Sequence, residues 1–464
     1  MRALTVRAVL FKGIGDLIPL YALYTVLFAD HGLSTGQISS LLAMWSATAF
    51  LLEVPSGAWA DTVSRRGLLV MSGVLLTAGF ACWTVLPTYL GFAVGFVLWG
   101  ISGALVSGTF EALLYDELVA RNAQPAYPRI IGYARAASEV AIVIAILAAT
   151  PLYIWGGYPL LGWCSVAFAA VHTLVGLSLP SALKAVSAAA VEDLEDDDDS
   201  AGSVEISRES SAAPAVDGGI RSESARGSHP RRTGERAVAD IADMSAPIST
   251  DARPFATYLN MLRTGLGEAI RVRAVRNGVA LGALLFGITA FDEYFALLAA
   301  EVGVATAVVP VLVGITVVGS LVGSVSAGRT EGMTARAMAI AMGLGGVLFI
   351  GGALVAGLAV RWPGAVYVLA GVGFTAIGAS YGIVYNASVV AGARLQDAIE
   401  GPARATVTSV SGLAAEVVAL AVFGFAAIAT RWLSMSTTVA LLGAAMLAIA
   451  LLIPSSLPRR ASDR

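Results

Sequence analysis

Charge is what this chain has least of: 13% of its 464 residues are Asp, Glu, Lys or Arg, about half the roughly 25% usual in soluble proteins. That scarcity excludes an ordinary water-soluble domain. Cysteine is scarcer still. Cys82 and Cys164 lie far apart inside apolar runs, so neither a disulfide framework nor a cysteine metal site can be built, and both read as small packing residues. No metal, no cofactor and no nucleic-acid partner is expected. What fills the chain is apolar: 57% hydrophobic residues and a mean hydropathy of +0.78. A bilayer is spanned by roughly 20 apolar residues, and about a dozen such runs occur. The 50 glycines suit helices that approach closely in lipid. Gly91/Gly95, Gly319/Gly323 and Gly378/Gly382 all have the small-xxx-small spacing.

The spacing predicts membrane helices near 8–30, 37–60, 67–86, 89–115, 130–154 and 158–179, then near 276–300, 305–328, 334–360, 363–391, 404–429 and 434–454. Arg2 and Arg7 precede the first run, but Lys12 and Asp16 interrupt it and no small-x-small cleavage site follows. A retained first helix is therefore expected rather than a leader. Most loop arginines then fall on one side: Arg2, Arg7, Arg65, Arg66, Arg121, Arg129, Arg329, Arg336, Arg394, Arg404, Arg459 and Arg460. The other side offers Arg361 and Arg431. The positive-inside rule places both termini in the cytoplasm, with the protein multi-pass in the cytoplasmic membrane.

Residues 181–253 differ in kind. The acidic run Glu192 to Asp199 is followed by Ser, Gly, Ala and Arg without apolar periodicity, a composition that predicts a disordered cytoplasmic linker. Beyond it, Phe255, Leu259, Leu262, Leu266 and Ile270 recur at helical spacing among arginines, as in an amphipathic helix on the inner membrane face. The expected domains are thus a six-helix bundle over 1–180, the linker over 181–253, and a second bundle over 254–464 preceded by that interfacial helix.

The two bundles repeat each other. Asp30-His-Gly32 corresponds to Glu301-Val-Gly303, and Gly57 to Gly323. Gly103, Gly108 and Tyr115-Asp116 correspond to Gly373, Gly378 and Tyr385-Asn386, and Arg135 to Arg404. The offsets stay between 266 and 271 residues and keep their order. A duplicated six-helix unit is the plan of a parallel-repeat transporter, whose site lies between the halves.

The turn Glu53-Val-Pro-Ser-Gly57-Ala-Trp-Ala-Asp61-Thr-Val-Ser-Arg65-Arg66 joins the second and third apolar runs. Its Gly-x-x-x-Asp-x-x-x-Arg-Arg pattern resembles the signature loop of the major facilitator superfamily, with Ser64 where the family usually has glycine. The stretch Ser107 to Leu118 looks like the fourth helix of a bacterial branch of that superfamily, and Arg404 to Val410 like the opening of its eleventh. The resemblance implies an all-α membrane protein of about twelve helices in two pseudo-symmetric six-helix bundles. It also implies a transporter rather than an enzyme. Ala327 and Glu331 stand near where Asp61 and Arg65 would align, so a gate built on this loop belongs to the first half. The fourth helix lacks the mid-helix arginine of many proton-coupled members, and the fifth lacks the full glycine-proline pattern of antiporters. Gly323 to Thr330 has phosphate-loop spacing with Arg329 for lysine, but it ends a membrane helix instead of following a strand, which excludes nucleotide binding.

Charges inside the membrane each need a reason, since one at mid-bilayer costs at least roughly 2.5–3.5 kcal/mol. Glu111, Asp292 and Glu293 are the leading candidates for proton or substrate binding, with Glu53, Glu139 and Glu416 behind them. Asp16 is a further intramembrane acid. Glu139 lies four residues after Arg135 and has a helix-surface pairing as its plain alternative. Gly57, Asp61, Arg65, Arg66, Asp116, Arg135 and Arg404 form the expected cytoplasmic gate. In it Asp61 meets the start of the eleventh helix and Arg65 or Arg66 meets Asp116. Tyr21, Tyr24, Trp45, Phe291, Tyr294, Phe295 and Tyr381 are candidate cavity aromatics, with packing as the alternative. His31 and His172 fall near helix ends and are not expected to relay protons. The expected function is export of a small organic molecule by a monomer in the lipid bilayer through alternating access, coupled to protons. Metabolite uptake or facilitated diffusion, and a non-transporting sensor or assembly protein, are the rivals.

Overall fold

The computed structural model describes residues 1–181, 273–399 and 404–458, with the side chains of Glu53, Asp61 and Arg404 outside the described residues. The expected linker and the interfacial helix after it likewise lie outside them. The first half is built from α1 (Arg2–Asp30), α2 (Thr35–Thr62), α3 (Arg65–Val85) and α4 (Tyr89–Val119), followed by the long helix Tyr127–Ser178. That helix has 52 residues, which at 1.5 Å per residue is more than twice a bilayer. It breaks at Gly156 and at Gly157, whose φ is +60°. The arms 127–155 and 158–178, here α5 and α6, run back alongside each other. Both reach α1 at one level, since Gly13 lies against Ala137 and Gly15 against His172.

The second half follows the same plan: α7 (Arg273–Gly287, Ile288–Tyr294, Phe295–Glu301), α8 (Val309–Thr330), α9 (Ala335–Leu358), α10 (Val366–Ala398), α11 (Arg404–Ala429) and α12 (Met435–Ser456). Helix starts are fixed by side chains that accept the orphan N–H groups of the first turn. Ser34 does so in a capping box with Gln37, and Thr88 and Ser434 do so alone. Ser64 caps α3 and Thr334 caps α9, so the serine that departs from the signature loop starts the third helix of its half.

Three spans are not continuous. In α1 the α-helix stops at Gly15, with Asp16 as its cap, and resumes at Tyr24 after a 3₁₀ turn at Pro19–Ala22. In α7 the break is the 3₁₀ segment Ile288–Tyr294, at the equivalent place in the repeat. In α4 the chain turns at Ser107–Gly108, where Gly108 has φ +67°, while α10 runs through the same level unbroken.

The halves meet on the side opposite the termini, called the far side here. The outer segment of α1 packs on that of α7, α2 lies along α11, and α5 lies against α8. Within the second half, the two small-residue motifs face each other. Gly319 abuts Gly378 and Gly323 abuts Gly382 so closely that a Cβ on Gly319 or Gly323 would stand 2.0 Å from the facing carbonyl oxygen. Backbone cannot yield there as a side chain can. Gly323→Ala should therefore lower the thermal midpoint of the purified protein, by an overpacking cost of about 1–3 kcal/mol or more. Gly351→Ala, where an added Cβ meets nothing within 4 Å, should leave the midpoint unchanged.

Candidate functional site

On the terminal side the structure brings Arg65 and Asp116 together at 2.6 Å, both buried, at the start of α3 and the end of α4. Arg65 also donates from Nε to the Ala60 carbonyl at 3.2 Å. A buried charge needs this degree of pairing, because an unpaired one costs several kcal/mol. Arg66 is exposed and reaches the Leu179 carbonyl at 3.4 Å, tying α3 to the end of α6. The Arg65–Asp116 pair lies inside the first half and braces it. Asn386, the repeat equivalent of Asp116, accepts from Thr330 at 2.9 Å and donates to the Gly323 carbonyl at 3.0 Å. The second half thus replaces an ion pair with neutral hydrogen bonds. Arg394 instead donates to the carbonyls of Glu331 and Met333. Gly57 sits in the last turns of α2 with open space where a Cβ would be. Arg135 is exposed on α5. The expected contact of Asp61 with the start of α11 falls on side chains outside the described residues.

The halves are joined by polar contacts near the break in α7. Tyr24 of α1 donates to the Glu293 carboxylate. Its neighbour Asp292 accepts from Tyr381 of α10, whose hydroxyl lies 3.4 Å from that of Tyr385. Tyr294 and Ser39 of α2 share a hydrogen bond of 2.7 Å, and Ser46 of α2 donates to Glu416 of α11. Two adjacent carboxyls, bonded to opposite halves, therefore occupy a 3₁₀ turn at the interface. Tyr24, Tyr294 and Tyr381 are buried, while Asp292, Glu293 and Glu416 are half-buried. Phe291 and Phe295 pack around Tyr381. At the far side the repeated acids both bind the start of the sixth helix of their half. Asp30 does so through a side-chain hydroxyl and Glu301 as a cap on backbone N–H groups. Asp30 accepts from Tyr158 at 2.6 Å, and Glu301 accepts from the backbone of Met435 and Ser436 at 2.7 and 3.2 Å.

Glu111 is elsewhere. It lines a cavity of about 400 Å³ within the first half, between α1, α3, α4 and α6. Lys12 Nζ lies 4.0 Å from Glu111 Oε1 and 5.4 Å from the Phe110 ring centre. Asp16 faces the same cavity and accepts from Ser138 of α5. Tyr21 stacks on Trp99 at 5.0 Å, and Trp45 stacks on Trp99 at 4.9 Å. His172 borders the cavity with Nδ1 2.9 Å from the Phe11 carbonyl. Glu139 is exposed on α5. Among the described residues, Asp292 does not line the cavity that holds Glu111 and is bonded to Tyr381 instead. Sequence reasoning passed over Lys12, which it used only against a leader peptide, and over Ser138, Ser46 and Tyr385, which carry no periodic signal. Tyr385 was visible in the repeat, beside Asn386.

The model of the Major Facilitator Superfamily matches residues 8–399, and the chain belongs to that superfamily. Its members are membrane transporters. No curated protein matches the sequence. The fold is similar to the crystal structure of a D-xylose-proton symporter, with a TM-score of 0.54 and 16% identity over 98% of this chain and 96% of that one. The structure of the human organic anion transporter MFSD10 (TETRAN) gives a TM-score of 0.49 and 16% identity over 97% of this chain and 99% of that one. At such identity the first likeness is one of fold.

The second half suggests how to test the clamp. Arg65→Met strands the buried Asp116 carboxylate, so a loss of about 3–5 kcal/mol should appear as a lower thermal midpoint. Neutralising the acid as well, with the asparagine that the second half carries at the equivalent position, in Arg65→Met with Asp116→Asn, should recover most of it. No recovery would mean that the charge itself is required.

Proposed function

We propose that this chain is a secondary transporter that exports a small organic molecule by alternating access, with proton exchange at the Asp292–Glu293 pair. The observation that carries the reading is the split of the pair: Glu293 is bonded to Tyr24 of the first half, and Asp292 to Tyr381 of its own half. Two like charges on adjacent carboxyls repel in a low-dielectric site, and a proton on one of them removes that repulsion. With Glu293 protonated, its carbonyl oxygen still accepts from Tyr24 and no charge repulsion opposes the contact, so the far side stays shut. With both carboxyls charged, each hydrogen bond is stronger but the repulsion between the two carboxylates outweighs that gain and drives them apart, which loosens the link between the halves. Proton occupancy then biases a two-state rocking of the halves, as a coupled transporter requires.

The contacts between α1 and α7, α2 and α11, and α5 and α8 close the far side in this conformer. With the arginine-rich side cytoplasmic, this is the inward-facing state. The terminal-side residues Arg65 and Asp116 brace the first bundle for that motion, and in this reading Asp61 meets the start of α11 in the opposite state. Both termini and residues 181–253 face the cytoplasm in this reading.

Purified protein in sealed vesicles, given a panel of labelled organic compounds with and without a pH gradient, tests the coupling. The wild type should accumulate at least one compound only when the gradient is present. Glu293→Gln and Asp292→Asn should lose gradient-driven accumulation and keep exchange at equal pH. If both variants pump like the wild type, the pair is structural and coupling runs elsewhere.

A further inference from the structure

We infer that the cavity inside the first half is a binding site for a small organic amine, anchored by Glu111 and Asp16, with Lys12 as a tethered occupant that the amine displaces. The inference deepens the transport reading, on which its physiological meaning rests. All residues lining the cavity belong to α1, α3, α4 and α6, so the site is complete within one half. Its volume of about 400 Å³ falls in the range of small-molecule pockets.

Its charges select the ligand. Two carboxylates face one ammonium, and an organic anion entering there would meet the acids with only Lys12 to offset them. Lys12 itself is loosely held. Its 4.0 Å separation from Glu111 is well beyond the roughly 2.7–2.9 Å of a charge-assisted hydrogen bond. Glu111 Oε2 is buried and has no hydrogen-bond partner among the described residues, which is costly unless a ligand supplies a donor. An ammonium group bound between Glu111 and Asp16 supplies it, and so satisfies an acceptor that the lysine leaves open.

The walls favour an amine with a flat apolar body. Tyr21 and Trp99, stacked with planes 14° apart, both line the cavity together with the acids. Lys12 Nζ lies 5.4 Å from the Phe110 ring centre, behind the cavity wall, and the aromatic faces of the wall itself favour a cation. Access comes from the break in α4. Ser107 and Gly103 are exposed at the rim, and nothing stands within 4 Å of where a Gly103 Cβ would be. A continuous α4 would carry its side chains across this opening. The left-handed Gly108, a conformation that side chains rarely adopt, turns the chain there.

Equilibrium dialysis of the purified full chain in lipid nanodiscs, at one pH and without any gradient, tests the site separately from coupling. Tryptamine and its carboxylate counterpart indole-3-propionate are the probes. Tryptamine should bind saturably and indole-3-propionate should not. Glu111→Gln should weaken tryptamine at least roughly tenfold, the worth of a charged hydrogen bond. Lys12→Gln should tighten it, a gain that misfolding cannot produce. Preference for indole-3-propionate, weaker tryptamine binding by Lys12→Gln, or no saturable binding of either probe would each overturn the inference. Normal tryptamine binding without transport in vesicles would instead count against the transport reading alone.

Discussion

In hydrocarbon every backbone N–H and C=O must find a partner within the protein, and this constraint decides where the molecule can afford to be irregular. Helices satisfy it automatically; breaks do not. The break in α1 frees the Leu20 N–H, and Ser165 of α6 accepts it at 3.0 Å. The break in α7 stays within 3₁₀ geometry, with Thr289 bonding back to the Phe286 carbonyl at 2.6 Å. The polar chemistry collects at these points. Asp16 caps the helix that ends in α1, Asp292 and Glu293 lie within the turn of α7, and Glu111 follows the turn of α4. Irregular backbone and charged side chains belong together here because each needs the polar partners that the other brings.

Duplication supplied one plan, and the halves use it differently. The bracing contact on the terminal side is ionic in the first half and neutral in the second, at Arg65–Asp116 and Thr330–Asn386. The fourth helix is broken in the first half and its counterpart runs straight, held by the glycine contacts of α8 and α10. One half therefore keeps a polar cavity, and the other a close glycine seam beside a largely apolar cavity of about 510 Å³. The carboxyl pair of α7 sits where the two designs meet.

The spans and the repeat could be read from the sequence because length, apolarity and spacing are local properties. Most helix ends agree to within a few residues, while α1 starts six residues earlier and α10 ends seven later than the spacing predicts. Asp30 and Glu301 both bind the start of the sixth helix of their half. The hairpin at Gly156–Gly157 was visible as a pair of glycines between two runs. The sites were less legible. Glu111, Asp292 and Glu293 stand out as charges in apolar segments, yet which of them share a site depends on how helix breaks rotate the side chains. Spacing along the chain puts Glu111 and Asp292 in opposite halves and cannot tell which neighbours each side chain meets. Lys12, Ser138 and Tyr385 are ordinary residues in one dimension and gain meaning only through what lies across from them.

The central claim is that the link between Tyr24 and Glu293 holds the far side shut in a proton-dependent way. Spin labels at the exposed positions 31 and 431, on the far sides of the first and second halves, would report it directly by pulsed dipolar distance measurement, with Cys82 and Cys164 replaced by serine. The account predicts a short separation at low pH, a longer population that grows as pH rises, and the longer population already at low pH in Tyr24→Phe. A distance distribution that ignores both pH and the loss of the Tyr24 hydroxyl would contradict it.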